Sequence, residues 1–205
     1  MDDAVTRTID LKGVRILPGY LNAEAQRALV EDLRAVAAAA PFFRPVTRWG
    51  KEMSVRMTSA GLCGWVSDRR GYRYEPRNPS GVAWPPIPQR VLALWHDVTG
   101  CDRAPDCCLV NYYETGARMG LHQDRDEADF AWPVVSVSLG DDGLFRVGGM
   151  ERSDPTASHW LRSGDVAVLE GPSRLAFHGI DRVRAGSSTL LEKGGRINLT
   201  LRVVY

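Results

Sequence analysis

Two side chains able to bind a metal stand close together in 121-LHQDRDEAD-129, where Asp124 follows His122 at a spacing of two. On an extended segment, positions i and i+2 point to the same side, so both side chains can aim at one point. A further histidine, His178, follows the apolar run in 174-RLAFHG-179 and is expected to end a strand. Across a β-barrel these residues would form a two-histidine, one-carboxylate triad, which covers one face of an octahedral metal, as in non-haem Fe(II) oxygenases.

Each part of this triad has a simpler interpretation when it is considered alone. A lone H-x-D is typical of a solvated acidic turn, in which Glu127 and Asp129 are also expected to be solvated. A buried histidine at a strand end is usually a packing residue. We expect His96, in the second predicted helix, and His159, between strands, to be surface or packing residues. Zinc is the alternative metal, although catalytic zinc usually has three protein ligands in a tetrahedral site. The cysteines match no zinc spacing and are expected to stay free thiols: Cys63, Cys101, Cys107 and Cys108.

The last predicted strand, 196-RINLTLR-202, alternates polar and apolar side chains. A half-buried strand with a polar solvent face is the simplest interpretation. The alternative is an inward polar face, whose two guanidinium groups could each grip one carboxylate in bidentate geometry. A small diacid such as 2-oxoglutarate could then be chelated by a metal at its keto-acid end and held by arginine at the other end. The polar residues on this face are Arg196, Asn198, Thr200 and Arg202, to which 111-NYYETG-116 adds Asn111 and Tyr113.

The elements that would position these side chains divide the chain into two parts. Up to about residue 105, helical periodicity predicts one helix from Ala23 to Ala39, with Asn22 as its N-cap, and a second from Ile87 to Val98. From about residue 106, short apolar runs separated by turns predict the strands of a sandwich or barrel. The predicted strands are CLVNYY, VVSVSLG, LFRVGG, HWLR, DVAVLE, RLAFHG and RINLTLRVVY.

Composition limits the function classes that remain open. The chain has 205 residues, 44% apolar and 25% charged, which is typical of one globular domain with a substantial core. No run of about 18 apolar residues occurs, so no membrane span is expected. The N-terminal residues lack an apolar signal-peptide core, so the cytoplasm is the expected compartment.

Positive charge is concentrated between the two predicted helices. Residues 41–80 read as hairpins and loops and contain eight Lys or Arg against three Asp or Glu, a net charge of +5. Because the whole chain sums to +1, the other 165 residues sum to −4. The same segment also carries Phe, Trp and Tyr, whose rings can stack on bases while the cations bind phosphates. A basic surface over core aromatics is the plainer interpretation, but beside a metal site the segment favours a nucleic-acid substrate.

Six short motifs follow one another along the chain: N-x-Y-x-x-G from Asn111, H-x-D-x-D from His122, S-L-G from Ser138, G-D from Gly164, R-x-x-x-H-G from Arg174 and R-x-N-x-T-x-R from Arg196. In this order and spacing they resemble the AlkB family of Fe(II)- and 2-oxoglutarate-dependent dioxygenases, which dealkylate nucleic-acid bases. The likeness covers about residues 10–205 and is greatest to the bacterial DNA-repair members, through 65-WVSDRRGYRY-74 and 149-GMERSDP-155. Leu201 stands where relatives often carry an aromatic residue, at a packing position.

The resemblance implies a fold of class α+β. This fold is a double-stranded β-helix, or jelly roll, with the N-terminal helices packed outside it and a β-hairpin lid that recognises the nucleotide. The resemblance implies one dioxygenase domain over residues 1–205. Within it, residues 1–105 would supply the helices and the lid, and residues 106–205 the catalytic jelly roll.

The resemblance also implies a role for each candidate site residue. Fe(II) would be bound by His122, Asp124 and His178. Arg196 would pair with the distal carboxylate of 2-oxoglutarate, and Arg202 would lie by the end that chelates iron. The remaining residues around 2-oxoglutarate would be Asn111, Tyr113 and Asn198. The alkylated nucleotide would be contacted by Trp65, Tyr72, Asp126 and Arg152.

The implied activity is oxidative demethylation of N-alkylated bases such as 1-methyladenine and 3-methylcytosine, a direct reversal of DNA damage. It would consume O₂ and 2-oxoglutarate and release formaldehyde and succinate. The expected partner is alkylated single-stranded DNA, with double-stranded DNA or RNA as alternatives, and the chain is expected to act as a monomer. The alternative enzyme is a 2-oxoglutarate-dependent hydroxylase of a protein side chain or small metabolite. The alternative from another class is a β-barrel binding module without turnover.

Overall fold

A computed structural model describes residues 8–205 of the chain. The elements of its first part are β1 (Ile9–Leu11), β2 (Val14–Leu17), α1 (Ala23–Ala39), β3 (Arg56–Gly61), β4 (Gly64–Asp68), β5 (Gly71–Glu75) and α2 (Gln89–Thr99). The strands of its second part are β6 (Cys107–Tyr113), β7 (Met119–His122), β8 (Val134–Gly140), β9 (Asp142–Val147), β10 (Ala157–Leu161), β11 (Val166–Leu169), β12 (His178–Arg184) and β13 (Arg196–Arg202).

Most of these strands belong to two antiparallel sheets. The larger sheet has the order β1-β2-β11-β8-β13-β6-β3, and the smaller has the order β10-β9-β12-β7. Leu109 of β6 shares a buried apolar cluster with Phe145 of β9 and Ile180 of β12, so side chains of both sheets meet in one interior. This arrangement is the predicted jelly roll, and β4 and β5 form the predicted hairpin beside it.

Two helices cover the outer face of the larger sheet. Leu33 of α1 and Trp95 of α2 pack in one buried cluster with Leu199 and Leu201 of β13. Leu201 therefore occupies a packing position, as its place in the sequence predicted. Within residues 8–205, neither helix has the length and apolar character that a membrane crossing requires.

The helix boundaries follow from local backbone chemistry. α1 spans the predicted residues, and the Asn22 side chain accepts a hydrogen bond of 2.9 Å from the backbone N–H of Ala25. α2 begins at Gln89 and not at the predicted Ile87, because Ile87 precedes Pro88 and a proline disfavours helical conformation in the residue before it.

One predicted strand is wrong. The run 174-RLAFHG-179 is not a strand that ends at His178; instead His178 is the first residue of β12. The preceding residues turn, because a 3-10 helix spans Gly171–Ser173 and the N–H of Ala176 donates to the carbonyl of Ser173 at 3.0 Å. Leu175 lies in this turn, and Phe177 forms backbone hydrogen bonds with Gly148 and Gly149, of 2.7 and 2.9 Å, without belonging to a strand.

The first part of the chain also supplies strands to the larger sheet, among them β2, which lies outside any predicted element, and β3, which lies in the segment predicted as hairpins and loops. β2 pairs with β11, and β3 pairs with β6, so both extend the larger sheet. β7 was missed as well, because its four residues are too few to show a period. β7 pairs with β12 and carries His122.

Candidate active site

The candidate metal ligands meet where β7 ends and β12 begins. His122 and His178 are directly opposite each other in the antiparallel pair, with ring centroids 4.6 Å apart. Asp124 follows β7, and each of its carboxylate oxygens lies 3.8 Å from the Nε2 atom of one histidine. One ligand atom from each residue lies within 4.8 Å of the others, which is the convergence that the sequence predicted.

Backbone carbonyls orient both imidazole rings. Nδ1 of His122 lies 3.0 Å from the carbonyl oxygen of Gly120, and Nδ1 of His178 lies 2.9 Å from that of Ala176. Because a carbonyl oxygen only accepts, each Nδ1 carries the proton and donates it to this hydrogen bond. Each Nε2 is left as an acceptor that faces Asp124, the arrangement usual around metal-binding histidines.

The protonation states of this group favour metal binding. Burial, which dominates, and the neighbouring His122 together lower the pKa of His178 to about 4, so its ring is neutral at physiological pH. Burial alone would raise the pKa of Asp124, but the charge of Arg202 holds that pKa below its usual range. The group therefore offers an ionised carboxylate and a neutral imidazole.

Asp124 keeps one oxygen free of hydrogen bonds although it is buried. Its Oδ1 accepts a hydrogen bond of 2.8 Å from Arg202, whereas Oδ2 has no hydrogen-bond partner among residues 8–205. A buried carboxylate oxygen without a partner is costly unless a ligand completes it. The free oxygen faces the Nε2 of His178, so the donor set fits a divalent metal at this point.

The inward face of β13 carries a second group with unused donors. Arg196 has no exposed surface, and its NH2 group donates to Ser138 at 2.9 Å. Nε and Nη1 of Arg196 have no partner within the described residues. Gly143 provides the space for this side chain, since a Cβ there would lie 2.7 Å from Nε of Arg196. Two unused guanidinium donors in a buried site fit a carboxylate of a ligand.

Polar groups of the neighbouring strand complete this side of the cavity. Asn111 of β6 is the register partner of Asn198 of β13, and its Nδ2 donates to Asn198 Oδ1 at 3.5 Å. Tyr113 lies under Arg196, with the guanidinium carbon 5.3 Å from the ring centroid. Burial raises the pKa of Tyr113 to about 12, so its hydroxyl is a neutral hydrogen-bond donor. The interpretation of β13 as a strand with a polar solvent face is therefore wrong.

Aromatic and charged side chains of the lid face the same cavity. Trp65 of β4 donates from Nε1 to Oδ2 of Asp126 at 2.9 Å. Tyr72 of β5 stacks on Trp65, with ring centroids 5.3 Å apart and an interplanar angle of 25°. Arg152 donates to the carbonyl of Leu121 at 2.7 Å. The lid thus presents a flat aromatic pair beside a carboxylate.

Every site residue that the sequence predicted lines one cavity of about 500 Å³. Its inner wall carries the candidate metal ligands and the polar side chains of β6 and β13, and its outer wall carries the lid residues and Arg152. His96 and His159 belong to no metal-binding group within residues 8–205. All four cysteines of the chain are free, as predicted.

Comparison with known proteins places this site in a family. Residues 13–202 match the model of the 2OG-Fe(II) oxygenase superfamily. An "Alpha-ketoglutarate-dependent dioxygenase AlkB homolog" from Caulobacter vibrioides is 57% identical over 93% of this chain and 87% of its own length. The chain belongs to the AlkB family of Fe(II)- and 2-oxoglutarate-dependent dioxygenases. Fe(II), 2-oxoglutarate and O₂ are thereby confirmed as its cofactor and cosubstrates.

Two further members show how far the likeness extends. A "DNA N(6)-methyladenine demethylase ALKBH1C" from Arabidopsis thaliana is 31% identical over 95% of this chain and 49% of its own length. The solved structure of OsALKBH1 superposes with a TM-score of 0.83 at 29% identity and covers 96% of this chain and 99% of that one. The jelly-roll fold is therefore shared across distant AlkB-family members.

This AlkB-family chain also contains a buried charge network that the sequence interpretation missed. Glu127 was expected to be solvated, but its side chain is only 1% exposed. Its Oε2 accepts from Arg174 at 3.1 Å, its Oε1 accepts from Tyr74 at 2.5 Å, and Nε of Arg202 lies 3.4 Å from the same Oε1. Arg202 in turn binds Asp124. Arg174, the arginine of the motif R-x-x-x-H-G, was a signal for this network, but nothing in the sequence pointed to Glu127 as its partner.

Proposed function

We propose that this chain oxidatively demethylates N-alkylated bases in nucleic acid. The observation that carries the proposal is the meeting of His122, Asp124 and His178 inside a cavity whose mouth holds a stacked aromatic pair and Asp126. The names of relatives support a nucleic-acid substrate, since one is a DNA N(6)-methyladenine demethylase. The residue assignments below rest on the described geometry and on the resemblance between the sequence motifs and the family.

His122, Asp124 and His178 would hold the iron through two Nε2 atoms and one carboxylate oxygen. Two histidines and one carboxylate leave positions open on an octahedral metal. With 2-oxoglutarate and O₂, the bound iron supplies the oxidising equivalent that hydroxylates the N-methyl group, after which formaldehyde leaves. The carbonyls of Gly120 and Ala176 keep both imidazole rings in the required tautomer.

Arg196 would bind the distal carboxylate of 2-oxoglutarate with its two unused donors. Asn111, Tyr113 and Asn198 would contact the rest of the cosubstrate, because their polar atoms line the same wall. Arg202 would stay paired with Asp124 next to the chelating end, where its charge keeps the carboxylate ionised.

Trp65, Tyr72 and Asp126 would recognise the alkylated base. An aromatic face stacks on any base, but a carboxylate favours a ring with a positive charge, such as 1-methyladenine or 3-methylcytosine. Asp126 uses one hydrogen bond for Trp65 and has further lone pairs for the base. Arg152 lines the same cavity next to Phe177 and would contact the nucleotide from there. This arrangement disfavours an uncharged, unmodified base.

Strand preference, assembly and location are extensions of the same proposal. A base must leave the stack before it reaches a cavity of this kind, so single-stranded DNA is the substrate that costs least to bind. The chain would act as a single-domain monomer, in which residues 1–105 provide the helices and the lid around a catalytic core of residues 106–205. The cytoplasm is the proposed compartment, since free thiols are preserved in a reducing environment.

Release of formaldehyde from a methylated oligonucleotide tests the proposed function. We expect release from single-stranded DNA that contains 1-methyladenine or 3-methylcytosine, and only when Fe(II), 2-oxoglutarate and O₂ are present. Asp124→Ala should abolish release while the circular dichroism spectrum stays that of the folded protein. Succinate formation that never depends on a methylated base would instead indicate a hydroxylase of another substrate. Full activity of the Asp124→Ala variant would contradict the assignment of the triad.

A further inference from the structure

Four of the eight cations of the segment 41–80 are paired with carboxylates of the protein. Arg44 and Arg56 both pair with Glu114. Arg70 and Arg73 share Asp68, and Arg73 also pairs with Glu75; Arg77 donates to the carbonyl of Gly81. The net charge of +5 already counts Asp68 and Glu75, so Glu114 alone lowers it further, to +4. Three cationic side chains of the segment 41–80 form no ion pair or hydrogen bond with residues 8–205: Arg48, Lys51 and Arg69.

These remaining cations lie in or beside the turn that carries one exposed tryptophan. Trp49 is 74% exposed, and the guanidinium of Arg48 lies 4.1 Å from its ring centroid. Arg69 comes from the turn between β4 and β5 but lies beside Gly50, since a Cβ on Gly50 would be 3.8 Å from its NH2 group. Lys51 follows Gly50 in the same turn. We call Arg48, Trp49, Lys51 and Arg69 the lid-tip surface.

The turn that carries Trp49 has a defined backbone. The N–H of Gly50 donates to the carbonyl of Thr47 at 2.8 Å, and the N–H of Thr47 donates to the carbonyl of Lys51 at 2.8 Å. Gly50 has φ of +84°, a conformation that glycine adopts without strain. The tryptophan ring is therefore presented to solvent from a hydrogen-bonded turn, and burial in the core does not account for its position.

The lid-tip surface lies next to the active-site cavity through Lys51. Lys51 lines a second cavity of about 410 Å³, which shares Met53, Met119 and Gly120 with the main cavity. Glu52 and Arg118 also line the second cavity, so with the lid-tip cations the local charge is four positive against one negative, or +3. A polyanion that enters the main cavity can extend into the second one as far as Lys51, which lies in the same turn as Trp49.

We propose that the lid-tip surface binds the nucleic-acid strand next to the target base, with an unpaired neighbouring base stacked on Trp49. The inference rests on the proposed function and adds a second contact area outside the base pocket. The three cations bind phosphates, because no carboxylate among residues 8–205 pairs with them, and the open ring face of Trp49 stacks on a base. The occupant is the same strand that carries the lesion, since the second cavity shares three lining residues with the cavity that holds the base pocket.

Paired substitutions test the aromatic part of this surface. Trp49→Ala is compared with Leu62→Ala, because both residues are 74% exposed and lie in the same segment. The probe is a fluorescent single strand of about 12 nucleotides, unmodified or with one central 1-methyladenine. We expect Trp49→Ala to raise Kd for both strands at least about fivefold, because one base–aromatic stack is lost. Leu62→Ala should leave Kd for both strands unchanged. An equal Kd for Trp49→Ala and wild type would overturn the proposal.

Adjacent arginines test the charged part. Arg69 forms no ion pair among the described residues, whereas Arg70 pairs with Asp68 at 3.2 Å. Arg69→Gln should reduce the slope of log Kd against log salt by about 0.7, the value for one phosphate contact on a single strand. Arg70→Gln should leave that slope near the wild-type value. Equal slopes for both variants would show that Arg69 binds no phosphate.

The readouts separate failure of this inference from failure of the proposed function. Anisotropy with the unmodified strand needs no reaction, so it reports on the lid-tip surface alone. Absence of formaldehyde release by the wild type would refute the demethylase and leave the binding result standing. In turnover, Trp49→Ala should raise KM and leave kcat unchanged, because binding is lost equally from ground and transition states. A defect with duplex DNA but not with single strands would assign the surface to the complementary strand and overturn the proposal.

Discussion

Replacement of Glu127 by glutamine tests the buried charge network beside the metal site. The four charges of this network are Asp124, Glu127, Arg174 and Arg202, and they sum to zero. The side chains of Glu127 and Arg174 are 1% and 2% exposed, and those of Asp124 and Arg202 are 5% and 6% exposed. Glu127→Gln preserves the volume and most hydrogen bonds but leaves one buried guanidinium without a counter-charge.

The expected loss of stability is large because the unbalanced charge stays out of water. Removing one partner of a buried ion pair costs about 3–5 kcal/mol, against a total of about 5–15 kcal/mol for a whole domain. Each kcal/mol shifts Tm by about 2–4 °C in a chain of this size, so a loss of about 3 kcal/mol lowers Tm by roughly 6–12 °C. The exposed pairs of this protein should contribute far less, about 0–1 kcal/mol each.

The assay is equilibrium unfolding in urea together with the thermal midpoint, both measured without metal. Asp129→Asn is the matched control, because Asp129 is an exposed acid of the same segment. Its Oδ1 accepts a hydrogen bond from the N–H of Ala131 at 2.9 Å, which the asparagine oxygen can also accept. If Glu127→Gln unfolds with the same free energy as Asp129→Asn, the network contributes no stability and this reasoning is refuted.

Three further predictions concern the strand pair, the cosubstrate pocket and the thiols. Gly179→Ala should weaken Mn(II) binding, measured by calorimetry, about tenfold or more, because the added Cβ would lie 2.5 Å from the carbonyl oxygen of Met119. Gly120→Ala is the control and should leave Mn(II) binding unchanged, because no atom lies within 4 Å of its added Cβ. Arg196→Met should leave the stability of the protein without cosubstrate unchanged or higher, because it removes a buried charge with unused donors. The same variant should lose the Tm increase that 2-oxoglutarate gives the wild type, and an undiminished increase would contradict the pocket assignment. Burial raises the pKa of Cys108 to about 12, so iodoacetamide at pH 8 should label the half-buried Cys101 and spare Cys108, which mass spectrometry would detect.

Much of the fold was predictable because it depends on short-range patterns. The capping residue Asn22 and the apolar spacing that follows it fix α1, and the polar–apolar alternation of 196-RINLTLR-202 fixes β13 as a strand. The failed strand at 174-RLAFHG-179 shows the limit of such patterns. A short apolar run is equally compatible with buried turns, and only pairing with β7 determines where β12 begins.

The sequence alone determined which residues can do the chemistry, because ligand type and order along the chain are properties of single side chains. The tertiary structure alone decided which of their charges are buried and which groups neutralise or hydrogen-bond them. It placed Glu127 in the interior, left donors of Arg196 unused and left Arg48, Lys51 and Arg69 without partners within the described residues. Burial and counter-charges come from residues distant in sequence, so no local spacing encodes them. This is the physical reason that the site could be named from the sequence, whereas its electrostatics could not.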